Sequence, residues 1–234
     1  GMYIGGTDSK GLHHLVSEVL DNSMDEAVAG FATKIDIEFT SEEEISISDN
    51  GRGIPIDFHP KFPDKTALEV IFCTLHAGGK FSDKNYLTSG GLHGVGISVV
   101  NALSEKLTVE VIKNRVCYSQ SFSKGIPLGK LLKLGEKRIK SGTKITFSPD
   151  KTIFSGNKLF NSEKIYELAK SKAYLFSGVT IDWKAPNIGE SNPNKLPTSE
   201  RFHFENGLMD LIRSNTAVEY NITNDYFVGE VDFK

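Results

Sequence analysis

The first helix predicted from the sequence carries a stripe of polar side chains whose types could do chemistry. Glu18, Asn22, Asp25 and Glu26 lie at positions i, i+4, i+7 and i+8, so they share one side of a helix. A carboxylate and an amide one turn apart can serve as a general base and as an oxygen ligand for a hard cation such as Mg²⁺. A plain solvated helix face explains the same stripe, and the stripe alone leaves both interpretations open.

A second candidate site is the segment 48–55, which directly follows an apolar strand pattern. Gly51 and Gly53 allow the backbone to turn tightly or to approach a ligand closely. Asp49, at the end of the strand, could accept a hydrogen bond from an exocyclic amino group such as that of adenine. An ordinary turn after a strand is the alternative, because Asn-Gly is a common turn pair.

The third candidate is a glycine-rich segment, 90–96, that opens an apolar helical run. Backbone N–H groups at the start of a helix bind phosphate, and glycines allow them to reach it. The segment is not the nucleotide P-loop, because no Gly-Lys-Ser/Thr follows, and it lacks the preceding strand of the dinucleotide fingerprint. Upstream, Lys80 after two glycines adds a cation suited to phosphate, although a lone surface lysine is common.

Thr143 is a weaker candidate, in a Ser-Gly-Thr sequence before an alternating strand. Its hydroxyl could donate or accept a hydrogen bond near a base. A structural threonine in a β-strand is the simpler interpretation.

The elements that must position these residues follow from hydrophobic periodicity. Apolar residues at helical spacing predict a first helix that Thr7 or Asp8 caps and that ends near Gly30. Further helices are predicted over 66–76 and 162–176, and the apolar run 97–103 follows a long polar loop over 78–96. Strands are predicted at 35–39, 45–47, 108–112, 116–122, 143–147 and 179–183, and a loop at 184–200. This mixture predicts an α/β sheet with helices packed on it.

Composition limits the function classes. The net charge of −3 and pI near 6.1 argue against a strongly basic DNA-gripping module. Cys73 and Cys117 form no zinc-ligand pattern and are expected to be free thiols in a reducing compartment. No long apolar run or signal peptide is visible, so we expect a cytoplasmic protein. Both ends lie within patterned sequence, which predicts a fragment of a longer chain.

The order and spacing of these features resemble one family. Residues 18–27 resemble the N-box of the GHKL ATPases, 49–55 their second motif, 76–81 and 89–103 their lid and glycine motif, and 142–143 their last motif. Within that superfamily the residues of these motifs resemble those of the B subunits of bacterial type II DNA topoisomerases, DNA gyrase and topoisomerase IV. Residues 2–5 and 11–14 also match that group. The resemblance runs from the first residues to about residue 214.

The resemblance implies the GHKL ATPase fold, an α/β (α+β) two-layer sandwich with a mixed, mostly antiparallel sheet and helices on one face. It also implies a set of residue roles for an ATP- and Mg²⁺-dependent hydrolase. Glu18 would polarise the attacking water, Asn22 would coordinate Mg²⁺, and Asp49 would bind the adenine amino group. The remaining nucleotide-binding residues would be Gly53, Ile54, Lys80, Gly91, Leu92, His93, Gly94, Val95, Gly96 and Thr143. Such catalysis consists mostly of positioning and charge stabilisation. A rim that binds coumarin-type and ATP-competitive inhibitors would include Glu26 paired with Arg52, together with Pro55 and Ile71.

The same resemblance implies domains and partners. Residues 1–214 would form the ATPase domain, and 215–234 a linker and first strand of a transducer domain. In the full complex the partners would be the topoisomerase A subunit, duplex DNA and a second copy of the B subunit. The fragment would be monomeric, would not associate with membranes and would hydrolyse ATP weakly. Ser119 stands where gyrase commonly has an arginine that coumarins contact, and segments 169–173 and 201–208 resemble topoisomerase IV more than gyrase.

Two other function classes fit parts of this pattern. One is another GHKL ATPase: a heat-shock chaperone, a MutL-like repair ATPase or a histidine kinase, the last disfavoured because no dimerising phosphoacceptor helix is visible. The other is a nucleotide-binding module without catalysis, which would have no need for a base at Glu18.

Overall fold

The computed structural model describes residues 3–75, 95–154, 160–185, 196–216 and 229 of the chain. The helices in these ranges are α1 (Ser9–Val28), α2 (Ala67–Cys73), α3 (Gly96–Ala102), α4 (Ser162–Leu175) and α5 (Leu208–Asn215). The strands are β1 (Lys34–Ser41), β2 (Glu44–Asp49), β3 (Phe58–His59), β4 (Phe62–Thr66), β5 (Ser104–Lys113), β6 (Val116–Ser123), β7 (Ile126–Pro127), β8 (Leu132–Glu136), β9 (Gly142–Pro149), β10 (Thr180–Lys184) and β11 (Ser199–His203).

Nine of these strands form one mixed, mostly antiparallel sheet. Its order is β11-β10-β1-β2-β9-β5-β6-β7, and β8 also pairs with β6. Strands β1 and β10 run parallel, whereas the other paired strands run antiparallel. Strands β3 and β4 form a separate hairpin. The predicted α+β class with a mostly antiparallel sheet is therefore confirmed.

The core lies between one face of this sheet and the helices. Along β1 the burial alternates, so that Ile35 and Ile37 are fully buried while Lys34 and Asp36 are half-exposed. This alternation is typical of an antiparallel sheet with one covered face. The covering layer begins with the apolar stripe of α1, which belongs to the same buried cluster as the inward residues of the sheet. The sequence pattern predicted both of these faces.

Side chains that cap helices fix where the helices begin. Asp8 accepts hydrogen bonds from the backbone N–H groups of Lys10 and Gly11, as predicted for the start of α1. Thr66 and Asn161 do the same for α2 and α4. Helix α1 ends at Val28, and Gly30 adopts a left-handed φ of 78°, which glycine tolerates without strain.

Several predicted boundaries are wrong. Helix α2 ends at Cys73 instead of reaching residue 76, and the predicted loop over 184–200 contains the end of β10 and the start of β11. Strand β11 has a single buried residue, Phe202, because it forms one edge of the sheet, so it lacks the alternating signal of a core strand. Other elements are too short or too exposed to show a clear hydrophobic period: β3, β4, β7, β8 and α5.

Two further points concern membrane-spanning helices and the division into domains. No helix among the described residues is both long enough and apolar enough to cross a membrane. The predicted linker and transducer strand over 215–234 lie almost wholly outside the described residues, so the division at residue 214 stays a prediction.

Candidate functional site

The centre of the candidate site is the end of β2, where it lies beside the start of β9. Asp49 is the last residue of β2, and its register partner across the sheet is Thr143. Both are nearly fully buried, at 6% and 5% exposure. Two segments far apart in sequence thus bring a carboxyl and a hydroxyl together at the ends of two neighbouring central strands.

Asp49 is held in a definite geometry without any counter-ion among the described residues. Its two carboxyl oxygens accept hydrogen bonds from the Gly51 backbone N–H at 2.9 Å and the Ser23 hydroxyl at 3.1 Å. Burial raises the pKa of the Asp49 carboxyl from 3.8 to about 6, a rise that these two hydrogen bonds oppose and that the nearby Glu26 charge increases. A buried carboxyl with a perturbed pKa and no ion pair is typical of a binding or catalytic site.

The glycines around Asp49 permit close backbone approaches. Gly53 has a φ of 76°, and a Cβ there would lie 3.0 Å from the Ile112 carbonyl oxygen. On Gly142 a Cβ would overlap the backbone oxygen of Asp49. The next residue after Gly53, Ile54, donates its backbone N–H to the Thr143 hydroxyl at 3.2 Å. The loop after β2 is therefore tied to the start of β9.

Glu26 and Arg52 form the expected pair beside this pocket. One Glu26 oxygen accepts from the Arg52 backbone N–H at 2.9 Å and from Nε at 3.2 Å, and the other accepts from the guanidinium at 2.8 Å. The Phe31 ring lies against the guanidinium, with its centroid 3.7 Å from the central carbon of that group. The two pairing side chains are only partly exposed, so this arrangement fixes the loop relative to α1.

Glu18 of α1 forms a second part of the candidate site, where it lies against the start of α3. A Cβ on Gly96 would overlap Glu18 Oε2, so only glycine at this position leaves room for the carboxylate. The other oxygen lies 3.1 Å from His14 Nε2, one turn earlier on α1. The side chain is 27% exposed, so water can reach it. A carboxylate in this position can accept a proton from a water molecule.

Asn22 follows Glu18 by one turn of α1 and is half-buried. Its side chain makes no hydrogen bond within the described part of the chain, so its amide oxygen can act as a ligand. The described residues contain no group of three or more His, Cys, Asp or Glu side chains that could hold a metal ion. This donor set fits a cation that is held mainly by phosphate and water oxygens.

The remaining predicted residues divide into two groups. Val95 is buried at the N-cap of α3, Ile54 and Ile71 are partly buried against the core, and Pro55 is exposed. Lys80, Gly91, Leu92, His93 and Gly94 lie outside the described residues.

The residue patterns alone did not single out three of these side chains: His14, Ser23 and Phe31. His14 precedes Glu18 by four residues, a spacing that puts the two in contact on a helix. Ser23 is a buried hydroxyl next to Asn22, and its contact with Asp49 depends on helix–sheet packing. Phe31 follows the helix end, and no sequence signal pairs it with Arg52.

The chain is similar to known ATPases over most of its length. Residues 7–153 match the family model described as histidine kinase-, DNA gyrase B- and HSP90-like ATPase. The B subunit of DNA topoisomerase 4 from Rickettsia felis is 56% identical over 99% of this chain and 35% of that protein. The same protein of Bartonella bacilliformis is 52% identical over 98% and 33%, and that of Staphylococcus aureus 45% identical over 91% and 31%.

A solved structure agrees with the sequence relatives. The crystal structure of the 43K ATPase domain of Thermus thermophilus gyrase B, in complex with an aminocoumarin, matches with a TM-score of 0.77 and 38% identity. The match covers 91% of this chain and 51% of that one. The chain spans about a third of the length of the curated relatives. By the family model and the shared fold, it belongs to the family of histidine kinase-, DNA gyrase B- and HSP90-like ATPases.

Proposed function

We propose that the chain is the ATP-binding and ATP-hydrolysing domain from the B subunit of a type II DNA topoisomerase, of the topoisomerase IV type rather than the gyrase type. The observation that carries the binding function is the buried Asp49 carboxyl, which has no counter-ion in the described ranges and lies beside Thr143 where β2 ends and β9 begins. The identities of 45–56% to the B subunits of topoisomerase 4 support the choice of enzyme.

In this proposal Asp49, at the end of β2, binds one end of the nucleotide, and Glu18, near the middle of α1, acts at the other. Asp49 accepts a hydrogen bond from the adenine amino group, and Thr143 and the Gly53–Ile54 backbone complete the base site. Glu18 orients the attacking water and accepts its proton. Gly96 and Val95, with Lys80 and residues 91–94 beyond the described ranges, bind the phosphates. Each group acts by position and charge, as expected for phosphoryl transfer.

Asn22 would hold Mg²⁺ through its amide oxygen, and the bound cation would neutralise charge on the phosphate oxygens. Two observations support this assignment: the Asn22 side chain has no hydrogen-bond partner among the described residues, and it lies one turn from Glu18. The same helix would thus orient the water and the cation.

We also propose partners, a location and a domain division, which the similarity to the B subunits of topoisomerase 4 supports. The chain would act with the topoisomerase A subunit on duplex DNA in the cytoplasm, and two copies of the B subunit would associate when ATP binds. Residues 1–214 would form the ATPase domain, and residues 215–234 would link it to a transducer domain.

The inhibitor-binding rim would consist of Glu26, Arg52, Pro55 and Ile71. Ser119 lies in β6, opposite Glu110 of β5. A serine at this position would bind coumarins more weakly than the arginine that gyrase commonly has there.

The adenine assignment is tested by calorimetry with a non-hydrolysable ATP analogue and Mg²⁺. Replacing Asp49→Ala removes a charged acceptor, so affinity should fall at least about tenfold. The matched control is Asp36→Ala, which removes a carboxylate from the outward side of β1. Equal affinity in wild type and Asp49→Ala would rule out the adenine role.

The base assignment is tested in the full-length protein. Glu18→Ala should keep its affinity for the analogue and lose turnover by about 10²–10⁴-fold, the usual contribution of a general base. Asp21→Ala, on the same helix, is the control because that carboxylate pairs with Lys172 instead. Wild-type turnover in Glu18→Ala would refute the role.

A further inference from the structure

The turn between β5 and β6 meets the segment that follows β8. The backbone N–H of Arg115 donates to the Lys140 carbonyl at 2.9 Å, and that of Lys137 donates to the Arg115 carbonyl at 2.7 Å. In the same region Val116 pairs with Glu136. These contacts put two basic stretches of sequence side by side at one corner of the sheet.

This corner concentrates positive charge. We define the basic corner as Lys113, Arg115, Lys137, Arg138 and Lys140. Lys113 is half-buried and the other four are exposed, and none forms a salt bridge with any residue in the described ranges. The acidic side chains closest in sequence and register are Glu136 and Glu110. The net charge of −3 for the whole chain therefore conceals a local excess of cations.

The backbone of the turn adds to this observation. Asn114 and Arg115 have φ values of 50° and 68°, in the left-handed region. In a two-residue hairpin turn of this kind the second position usually holds glycine, because a Cβ costs about 1–2 kcal/mol there. The chain instead holds a long cationic side chain at this exposed position of the turn.

We propose that the basic corner binds the phosphate backbone of duplex DNA. Lys and Arg supply most contacts to phosphate oxygens, and such contacts position a protein without reading sequence. Interfaces with other proteins are instead depleted in Lys, which contributes three of the five cations here. The inference rests on the proposed topoisomerase function and adds a DNA contact on the ATPase domain itself. Ile112 pairs with Gly142, so the basic corner lies at the same ends of the strands as Asp49 and Thr143.

The experiment measures anisotropy of a fluorescent duplex of mixed sequence as the chain is added, over a range of salt starting near 50 mM. The test variant carries Lys113→Gln, Arg115→Gly, Lys137→Gln, Arg138→Gln and Lys140→Gln, with glycine at 115 chosen to preserve the turn. The control variant removes five lysines elsewhere: Lys10→Gln, Lys61→Gln, Lys106→Gln, Lys164→Gln and Lys170→Gln. Both variants therefore have the same net charge.

The wild-type chain should bind with a salt slope of about −4.5 if each of the five cations neutralises one phosphate, because each neutralised phosphate contributes about −0.9. The test variant should lose this slope and most of its affinity, while the control should keep both. The single variant Arg138→Gln should make the slope shallower by about one. Duplexes of different sequence should bind equally.

Three outcomes would overturn the proposal: no binding of duplex by wild type, equal loss in test and control variants, or tighter binding of polyglutamate than of duplex at equal charge. The last would assign the corner to an acidic protein partner. Binding of the ATP analogue is measured on all three proteins as a check of folding. If analogue binds and duplex does not, this inference fails and the proposed ATPase function stands; if wild type binds no analogue, the proposed function fails.

Discussion

Asp49 illustrates how a single residue trades stability for binding. Its carboxyl is nearly fully buried, and its side chain accepts hydrogen bonds from the Ser23 hydroxyl and the Gly51 backbone N–H. The buried charge disfavours folding, yet it leaves acceptor capacity for an incoming amino group. The raised pKa has opposite consequences for binding and for stability.

We expect adenine-nucleotide affinity to fall as the pH drops through about 6. Hydrogen bonding from the adenine amino group favours the Asp49 carboxylate, whereas the pKa of about 6 leaves the free protein mostly protonated below that pH. Affinity at about pH 5 should be roughly tenfold lower than at about pH 7. Calorimetry at both values tests this. The Asp49→Asn variant controls for titration of the nucleotide phosphates, and an equal fall in both proteins would contradict the prediction.

The same pKa predicts that Asp49→Asn is more stable than wild type above about pH 6. Because folding raises this pKa above its ordinary value of 3.8, wild type loses stability relative to the variant as pH rises from about 4 to above 6. The full difference is on the order of 3 kcal/mol. Urea unfolding at several pH values measures it. A pH-independent difference between the two proteins would show that the charge is not the cause.

At the scale of elements, the pairing between the end of β2 and the start of β9 depends on a glycine. A Cβ at Gly142 would overlap the Asp49 backbone oxygen, which belongs to a paired strand and cannot move freely. Gly142→Ala should lower the free energy of unfolding by about 1–3 kcal/mol and weaken nucleotide binding. Gly129→Ala is the control, because no described atom lies within 4 Å of a Cβ at that position. Both effects are measured by urea unfolding and calorimetry, and equal behaviour of the two variants would refute the explanation.

The edge strand β11 and its neighbour β10 are held together in part by charge. Asp182 accepts hydrogen bonds from Arg201, its register partner on β11, at 2.7 and 2.9 Å, and lies 3.1 Å from Lys34 on β1. The Arg201 hydrogen bonds, with Lys34, lower the pKa of Asp182 to about 2.

Asp182→Asn should therefore destabilise the chain above about pH 4, and the difference should disappear as pH falls through about 2. A folded pKa below the ordinary value of 3.8 stabilises the fold above that value. Because both basic partners are well exposed, the loss near neutral pH should be about 1 kcal/mol. Unfolding of Glu38→Gln, an outward carboxylate on β1, provides the comparison. A loss that persists unchanged to pH 2 would contradict the assignment.

At the scale of the whole molecule, the chain corresponds to about a third of its curated relatives. We expect it to be monomeric without nucleotide and to turn over ATP slowly, with a rate per molecule that rises with protein concentration if two chains must associate. Sedimentation and a coupled ATPase assay over a wide concentration range measure both properties. Rapid turnover that is independent of concentration would contradict the requirement for association.

Local patterns were sufficient to predict most of the fold. The helical apolar stripe of α1 and the alternation in β1, β2 and β9 predicted the core, because burying one face is what imposes those periods. The peripheral strands β8 and β11 and the exposed helix α5 were not predicted, because they bury few or no residues and so show no hydrophobic period. The order and spacing of the motifs pointed to the ATPase family, which the family model confirmed.

By itself, the sequence determined which residues could do chemistry and which faces of each element are buried, since both depend on residue type and spacing. Tertiary structure alone decided which residues meet. The Ser23 hydroxyl reaches Asp49, Gly96 leaves room for Glu18, and the β5–β6 turn joins the segment after β8. These contacts join positions far apart in the chain, and only the packing of α1 and the strand order of the sheet bring them together. The pairing of β6 with β8 also brings together the basic corner in a chain whose overall charge is negative.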